Sequence, residues 1–359
     1  MIKYVLIGCG RISPNHLLAA LNNQLHICAL CDLMPVAMQE KGKSFGLSGV
    51  NYYTDYREML AKEEPDLVGI ATESGSHAAI ASYCLKARIH TIVEKPIALS
   101  LEDANDLVEL ANSNQVILCP CHQNRFNESV MMIRKALESG RFGRLLHGAA
   151  HVRWNRDRAY YEQAAWRGTW AHDGGALMNQ CIHNIDLLRW MMGDDIEEVF
   201  AYTDRLLHPY IEAEDLGVAL IKFSNGSYGL IEGTTNIYPA NLEETLYIFG
   251  STGTVKAGGK SANIIEEWEF ADDLDDANMM KASCSEEPPD IYGYGHTALY
   301  RDVIRAITNN TKPFISPEAG RRAIELVLAI YQSAYEGKPV RLPLMSGSTM
   351  DYHERFRSP

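Results

Sequence analysis

The chain has 359 residues, longer than one typical domain and suited to two, each able to bury its own core. Its formal net charge of −13 argues against nucleic acid or an anionic membrane as the main partner, but leaves room for an anionic metabolite where positive charge is concentrated. No apolar run approaches the roughly 18 residues that span a bilayer, and the short apolar start runs directly into a glycine turn with no cleavage site before it, so a cytoplasmic protein is expected.

In chain order, residues 3–7 read as a strand ending in glycines, 14–22 as a helix, 26–31 as a strand and 35–45 as a helix. Residues 66–71, 90–93 and 116–119 continue as short buried strands, with helices at 76–86 and 100–112; the last opens on Ser100 with an acid three residues later. This alternation predicts an α/β Rossmann domain, residues 1–122, built on a parallel doubly wound sheet. Beyond it, strands at 145–154, 199–206, 216–223, 228–236, 245–249, 254–257 and 264–270 follow one another. Ser224-Asn225-Gly226-Ser227 is a hairpin signal among them. The expectation is an α+β domain, residues 123–359, with a large, mainly antiparallel open-faced sheet and closing helices at 296–308 and 317–335. Residues 272–289, acidic and carrying paired prolines, read as a surface loop.

The eight cysteines read as buried thiols rather than a disulfide framework. Cys28 and Cys31 sit on one strand, where i and i+3 point to opposite faces, and Cys119 and Cys121 flank Pro120; no metal is expected from either pair.

Gly8-Cys9-Gly10-Arg11-Ile12-Ser13 follows the first strand and opens a helix, the arrangement that lets backbone approach a pyrophosphate at a helix N-terminus. A serine replaces the usual third glycine. Asp32 ends the second strand about 20 positions on, where an acid binds ribose hydroxyls, and no basic residue stands beside Leu33 to receive a 2′-phosphate. NAD is therefore expected rather than NADP. Glu94-Lys95-Pro96 follows the strand 90–93 at the carboxyl edge of the sheet, where a lysine can hold a substrate hydroxyl and help move its proton.

With Thr72 to His77 after the strand 66–71, Gln123-Asn124-Arg125-Phe126 at the domain junction, and the run from Gly174-Gly175 through Asn179, Gln180 and His183 to Asp186, the chain resembles the Gfo/Idh/MocA oxidoreductase family along essentially its whole length. The resemblance implies NAD contacts from Gly8, Gly10, Arg11, Ile12, Asp32, Thr72, His77, Glu94, Lys95 and Gln123, and proton transfer by Lys95 and His183. On a helix beginning near Gly175, Asn179 and His183 are i and i+4 and share a face. Asp186 either orients His183 or pairs with Arg189. Inositol-dehydrogenase-like members carry Asp where this chain has Asn179; an amide cannot exchange a proton as a carboxylate does, so Lys95 and His183 would have to suffice.

Between Arg153 and Trp170 there are four arginines (153, 156, 158, 167) against two acids, Asp157 and Glu162, a local +2 in an acidic protein. Arginine binds phosphate and carboxylate bidentately, and aromatic faces suit sugar rings. With Asn179-Gln180-x-x-His183 following, the chain resembles the UDP-N-acetylglucosaminuronate 3-dehydrogenase branch of the family, with Arg156, Arg158, Tyr160, Arg167, Asn179 and His183 facing the substrate. The arginines could equally make salt bridges. An inositol or free-sugar dehydrogenase, a cofactor-retaining lyase or hydrolase, and a non-catalytic NAD-binding regulator are the other readings. The resemblance implies a homodimer or homotetramer.

Overall fold

The computed structural model describes residues 1–272, 274–284, 293 and 295–356. It divides into two compact units. The first comprises Met1–Ala98, Glu102–Gln123 and Gly295–Arg321, the second Leu99–Leu101, Asn124–Tyr294 and Arg322–Pro359.

In the first unit β1 (Lys3–Ile7), α1 (Ser13–Asn22), β2 (His26–Cys31), α2 (Pro35–Ser44), β3 (Asn51–Tyr53), α3 (Tyr56–Glu63), β4 (Leu67–Ile70), α4 (Ser74–Lys86), β5 (His90–Val93), α5 (Leu101–Asn114) and β6 (Leu118–Pro120) alternate. The six strands are parallel in the order β3-β2-β1-β4-β5-β6. The order reverses between β1 and β4, the switch point at which such sheets bind ligands. Nearly every residue of β1, β2, β4 and β5 is buried, as a sheet covered on both faces requires. β3 and α3 were not foreseen: a three-residue exposed strand shows no periodicity, and the start of α3 is marked only by Asp55, whose side chain accepts from the Arg57 N–H.

The second unit carries α6 (Glu128–Glu138), β7 (Leu145–Arg153), α7 (Arg158–Glu162), α8 (Ile182–Met192), β8 (Ile196–Asp204), β9 (Leu216–Phe223), β10 (Tyr228–Thr234), β11 (Glu243–Gly250), β12 (Gly253–Gly258), β13 (Ile264–Phe270) and α9 (Ala277–Ser283). The chain then supplies α10 (Gly295–Asn309) to the first unit and returns through α11 (Pro317–Glu336) to β14 (Val340–Arg341). The eight strands run β13-β12-β11-β7-β10-β9-β8-β14, and every neighbouring pair is antiparallel except β7–β10. α8 packs on β7, β10 and β11, while Tyr202, Leu220 and Tyr228 on the other face are exposed. Of the expected loop 272–289, Ala277–Ser283 is instead a short helix capped by Asp276; residues 273 and 285–289 lie outside the described residues. Among the described residues no helix is long and apolar enough to cross a membrane.

The expected single helix from Gly175 is not what forms. Leu177–Cys181 is a π-turn, and the α-helical ladder starts only at Ile182. The reason lies in the sheet beneath. Gly217 of β9 and Gly233 of β10 are cross-strand partners, and together they make a notch filled by the turn. A Cβ at Gly217 would stand 2.5 Å from Leu177 Cδ1, and one at Gly233 would stand 2.7 Å from Cys181 Sγ. In a π-turn the ladder runs i to i+5; Asn179 lies inside the turn, with its N–H on Gly175 O at 2.9 Å, and His183 is the second residue of α8.

Candidate active site

At the switch point of the first unit, Gly8 adopts φ +95°, and a Cβ there would meet the Ala71 carbonyl carbon at 2.5 Å, so glycine is required where β1 passes the end of β4. Apart from Gly10 itself and its two chain neighbours, no heavy atom of the described residues lies within 4 Å of the position a Gly10 Cβ would take. Ser13, in place of the third glycine, spends its hydroxyl on Gly10 O at 2.7 Å. α1 begins with no side-chain cap and no acid in its first turn; Ser13 N and Asn15 N donate to Gly10 O and Ile12 O and Pro14 has no N–H, so what α1 offers an anion is its positive dipole end. Asp32 is held by two backbone donors, Cys9 N to Oδ2 at 2.7 Å and Met34 N to Oδ1 at 2.8 Å, which pin the carboxylate beside the glycine turn. Arg11 is exposed and Ile12 half-buried. Gln123 is buried, and its Oε1 has no hydrogen-bond partner among the described residues. An uncapped helix start, a glycine turn open on one side, a pinned carboxylate and an orphan amide oxygen fit a dinucleotide.

Lys95 is half-buried at the end of β5. Its turn is braced from two sides. His77 is buried, with Nδ1 2.7 Å from Pro96 O and Nε2 3.1 Å from Thr72 O, and burial lowers its pKa despite these carbonyls. The Glu94 carboxylate, expected among the cofactor contacts, turns into the core. His16 Nε2 lies 3.0 Å and His296 Nε2 3.5 Å from its Oε1, and Lys95 N donates to its Oε2 at 3.2 Å. Thr72 Oγ1 accepts from Ser76 at 2.8 Å. Thr72, His77 and Glu94 therefore hold the loops of this edge in shape.

In the second unit Asn179 and His183 are both half-buried, and the Asn179 amide donates to Asp173 Oδ1. Asp186 takes a two-pronged contact from Arg125, Nε at 2.7 Å and Nη2 at 2.6 Å, together with Arg189 Nη2 at 3.2 Å. The pairing expected with Arg189 is present, but Arg125 is the shorter partner. Of the four arginines, two are consumed by salt bridges. Arg153 pairs with Glu232 and Glu243, and Arg158 pairs with Glu162 at 2.6 Å on an exposed helix. The other two flank Tyr160: Arg156 has its guanidinium 4.9 Å and Arg167 4.2 Å from the ring centroid. Arg167 Nη1 also donates to Tyr160 Oη at 2.6 Å, as does Gln180 Nε2 at 3.0 Å. Neither Arg156 nor Arg167 has a carboxylate partner among the described residues, and the Nε of each is buried without an acceptor.

Residues 2–122 match the family model described as an oxidoreductase family with an NAD-binding Rossmann fold, and residues 130–256 match the GFO/IDH/MocA C-terminal domain. The chain is 37% identical to the WlbA dehydrogenase of Bordetella pertussis, whose structure holds NADH and UDP-GlcNAcA; the likeness covers 96% of this chain and 98% of that one, with a TM-score of 0.88. The chain belongs to the Gfo/Idh/MocA family. A WlbA dehydrogenase from Chromobacterium violaceum, also with NADH and UDP-GlcNAcA, is 35% identical over 96% of each chain, with a TM-score of 0.86. Myo-inositol 2-dehydrogenase of Thermotoga maritima is 25% identical, covering 95% of this chain and 99% of the relative. This Gfo/Idh/MocA member is an NAD-dependent sugar dehydrogenase.

Groups not foreseen from the sequence stand beside these residues in each unit: His16 and His296 in the first, Asp173 and Glu214 in the second. Glu214 is fully buried and takes Leu177 N at 2.8 Å on Oε1, anchoring the first residue of the π-turn. His16 stands only three residues beyond Ser13, but its partner Glu94 is 78 positions away, and nothing local in the sequence couples them.

Proposed function

We propose that this enzyme oxidises C3 of a UDP-linked N-acetylated uronic acid, with Lys95 and His183 sharing the acid/base role. The observation that carries the substrate class is the Arg156–Tyr160–Arg167 group. Two guanidiniums without carboxylate partners among the described residues flank one aromatic ring, in a chain of net charge −13. A substrate carboxylate would satisfy them bidentately. Gln180, already on the Tyr160 hydroxyl, adds an amide oxygen with no partner among the described residues. The identity of 35–37% to two dehydrogenases whose structures hold UDP-GlcNAcA supports this reading over inositol, where the relative stands at 25%. Arg158, committed to Glu162, is left with the smallest part.

Bound NAD supplies the acceptor for the hydride. In this reading Gly8, Gly10 and the uncapped start of α1 hold its pyrophosphate, Asp32 its adenosine ribose, and Gln123 a polar contact. Lys95 and His183 hold the reacting hydroxyl and remove its proton. Asn179, tied to Asp173, orients the sugar and moves no proton, because an amide has none to exchange at neutral pH. The boundary we assign to the cofactor-binding part of the chain is residue 122, with α10 belonging to it. The exposed face around Tyr202, Val218, Leu220 and Tyr228 is the surface we assign to self-association, which sedimentation of the purified chain reads directly.

The test is substrate discrimination. Arg167→Met and Arg156→Met should raise KM for a UDP-N-acetylated uronic acid at least ~10-fold while changing KM little for the neutral UDP-N-acetyl sugar. Equal changes for both sugars would refute a carboxylate-reading role.

A further inference from the structure

Glu94 sits at the meeting point of three elements of the first unit. His16 reaches it from α1, His296 from α10, and its own backbone leads into Lys95. A carboxylate only accepts hydrogen bonds, so Nε2 of each histidine must carry the proton that faces Oε1. His16 is fixed in turn through Nδ1, 2.7 Å from Tyr300 Oη, and Tyr300 Oη lies 2.8 Å from Tyr4 Oη on β1. The groups facing Glu94 are thus His16 from α1, His296 and Tyr300 from α10, Cys121 after β6, and the following Lys95. Burial alone would raise the Glu94 pKa, yet the hydrogen bonds from His16 and His296 hold it well below the usual carboxylate range.

His16, Glu94, Cys121 and His296 also present four ligand-type atoms within 4.8 Å of one another. One observation favours hydrogen bonding over a metal: the His16–Glu94 separation of 3.0 Å is a hydrogen-bond length, shorter than the roughly 3.3 Å between two ligands placed ~2.0 Å from a tetrahedral zinc.

We propose that Glu94 is a positioning residue whose buried carboxylate ties the Lys95 turn to α1 through His16 and to α10 through His296, so that the cofactor loop and Lys95 keep one fixed relation. The start of α1 that follows Gly8–Ile12 and the turn that carries Lys95 are also linked through the sheet and through His77, which bridges Thr72 O and Pro96 O. One carboxylate with donors from both sides makes them a single rigid piece. The catalytic consequence rests on the reading that Lys95 acts on the substrate; the effect on NAD binding does not.

Three variants separate the possibilities: Glu94→Gln, His296→Gln and Lys95→Ala. Glu94→Gln keeps the shape but turns an acceptor-only group into one that presents N–H donors to histidine N–H groups. It should lower kcat at least ~10-fold, the loss expected of a displaced catalytic group, and weaken NAD binding by direct titration about 3- to 10-fold. The pH profile of kcat should move to lower pH, because removing the negative charge beside Lys95 favours its neutral form. A purely structural role would reduce the amount of folded enzyme without moving that profile. Should Glu94→Gln fail to fold, His296→Gln, remote in sequence from Lys95, carries the same test on kcat and NAD binding with smaller losses, and its pH profile stays put because the Glu94 charge remains. Wild-type kcat, pH profile and NAD affinity in the folded variants, with Lys95→Ala inactive, would overturn the tie alone. An active Lys95→Ala enzyme beside a Glu94→Gln enzyme weakened in NAD binding would overturn the catalytic reading and leave the tie standing. One equivalent of zinc retained per chain would overturn the hydrogen-bonded reading.

Discussion

Glu214 offers a quantitative test of how the π-turn is held. Burial raises its carboxyl pKa from 4.5 to about 8, although hydrogen bonds from Leu177 N and Tyr331 pull the other way. The Tyr331 hydroxyl lies 2.8 Å from both Gly174 O and Glu214 Oε1, so its single proton is shared between two acceptors and compensates the buried carboxyl only in part. Because the folded pKa lies above the unfolded one, the folded protein holds a proton that the unfolded chain releases between about pH 4.5 and 8. The associated stability is present in full below that window and is lost as pH rises through it. With 1.36 kcal/mol per pK unit, the loss between pH 5 and pH 8 is roughly 3 to 4 kcal/mol. Glu214→Gln cannot ionise and keeps an acceptor for Leu177. Urea unfolding of both proteins at pH 5 and pH 8 should therefore show the wild type losing roughly 3 to 4 kcal/mol more than the variant, with all other titrating groups cancelling in the difference. Equal losses would refute a neutral Glu214.

Asp186→Asn leaves Arg125 and Arg189 buried without their shared carboxylate and should destabilise the second unit by about 3 to 5 kcal/mol in a denaturant melt; a loss under 1 kcal/mol would show that the cluster relaxes or hydrates. At the cofactor end, Asp32→Ala combined with Leu33→Arg should shift preference from NAD toward NADP, since Leu33 is 85% exposed and an arginine there is free to meet a 2′-phosphate. The ratio of kcat/KM for the two cofactors measures it.

How far the sequence could be read follows from the range of the forces involved. Strands and helices of the first unit show in local periodicity, and β9 and β13 fall within the bounds read from alternation alone. α10 is equally visible as a helix, but its amphipathic pattern does not say which sheet it covers, so a single cut at residue 122 misses its return to the first unit. The π-turn at Leu177–Cys181 is invisible locally because its cause is a pair of glycines on β9 and β10, some 40 to 55 residues downstream. The resemblance implies a cofactor contact from Glu94, but no local pattern shows that its carboxylate also meets histidines 78 and 202 positions away. The arginine excess was legible as charge, and the Arg158–Glu162 pair is a local i,i+4 contact; that Arg153 is committed to Glu232 and Glu243, and that Arg156 and Arg167 flank Tyr160, depends on the folded arrangement.

The central claim is tested most directly by mixing the purified enzyme with NAD and a panel of UDP-N-acetylated uronic acid, neutral UDP-sugars, inositols and free sugars, and following NADH absorbance. The account predicts that kcat/KM for the UDP-linked uronic acid exceeds every other substrate by at least ~10-fold, and that Lys95→Ala abolishes it. Faster turnover of an inositol or a free sugar, or undiminished turnover by Lys95→Ala, would contradict it.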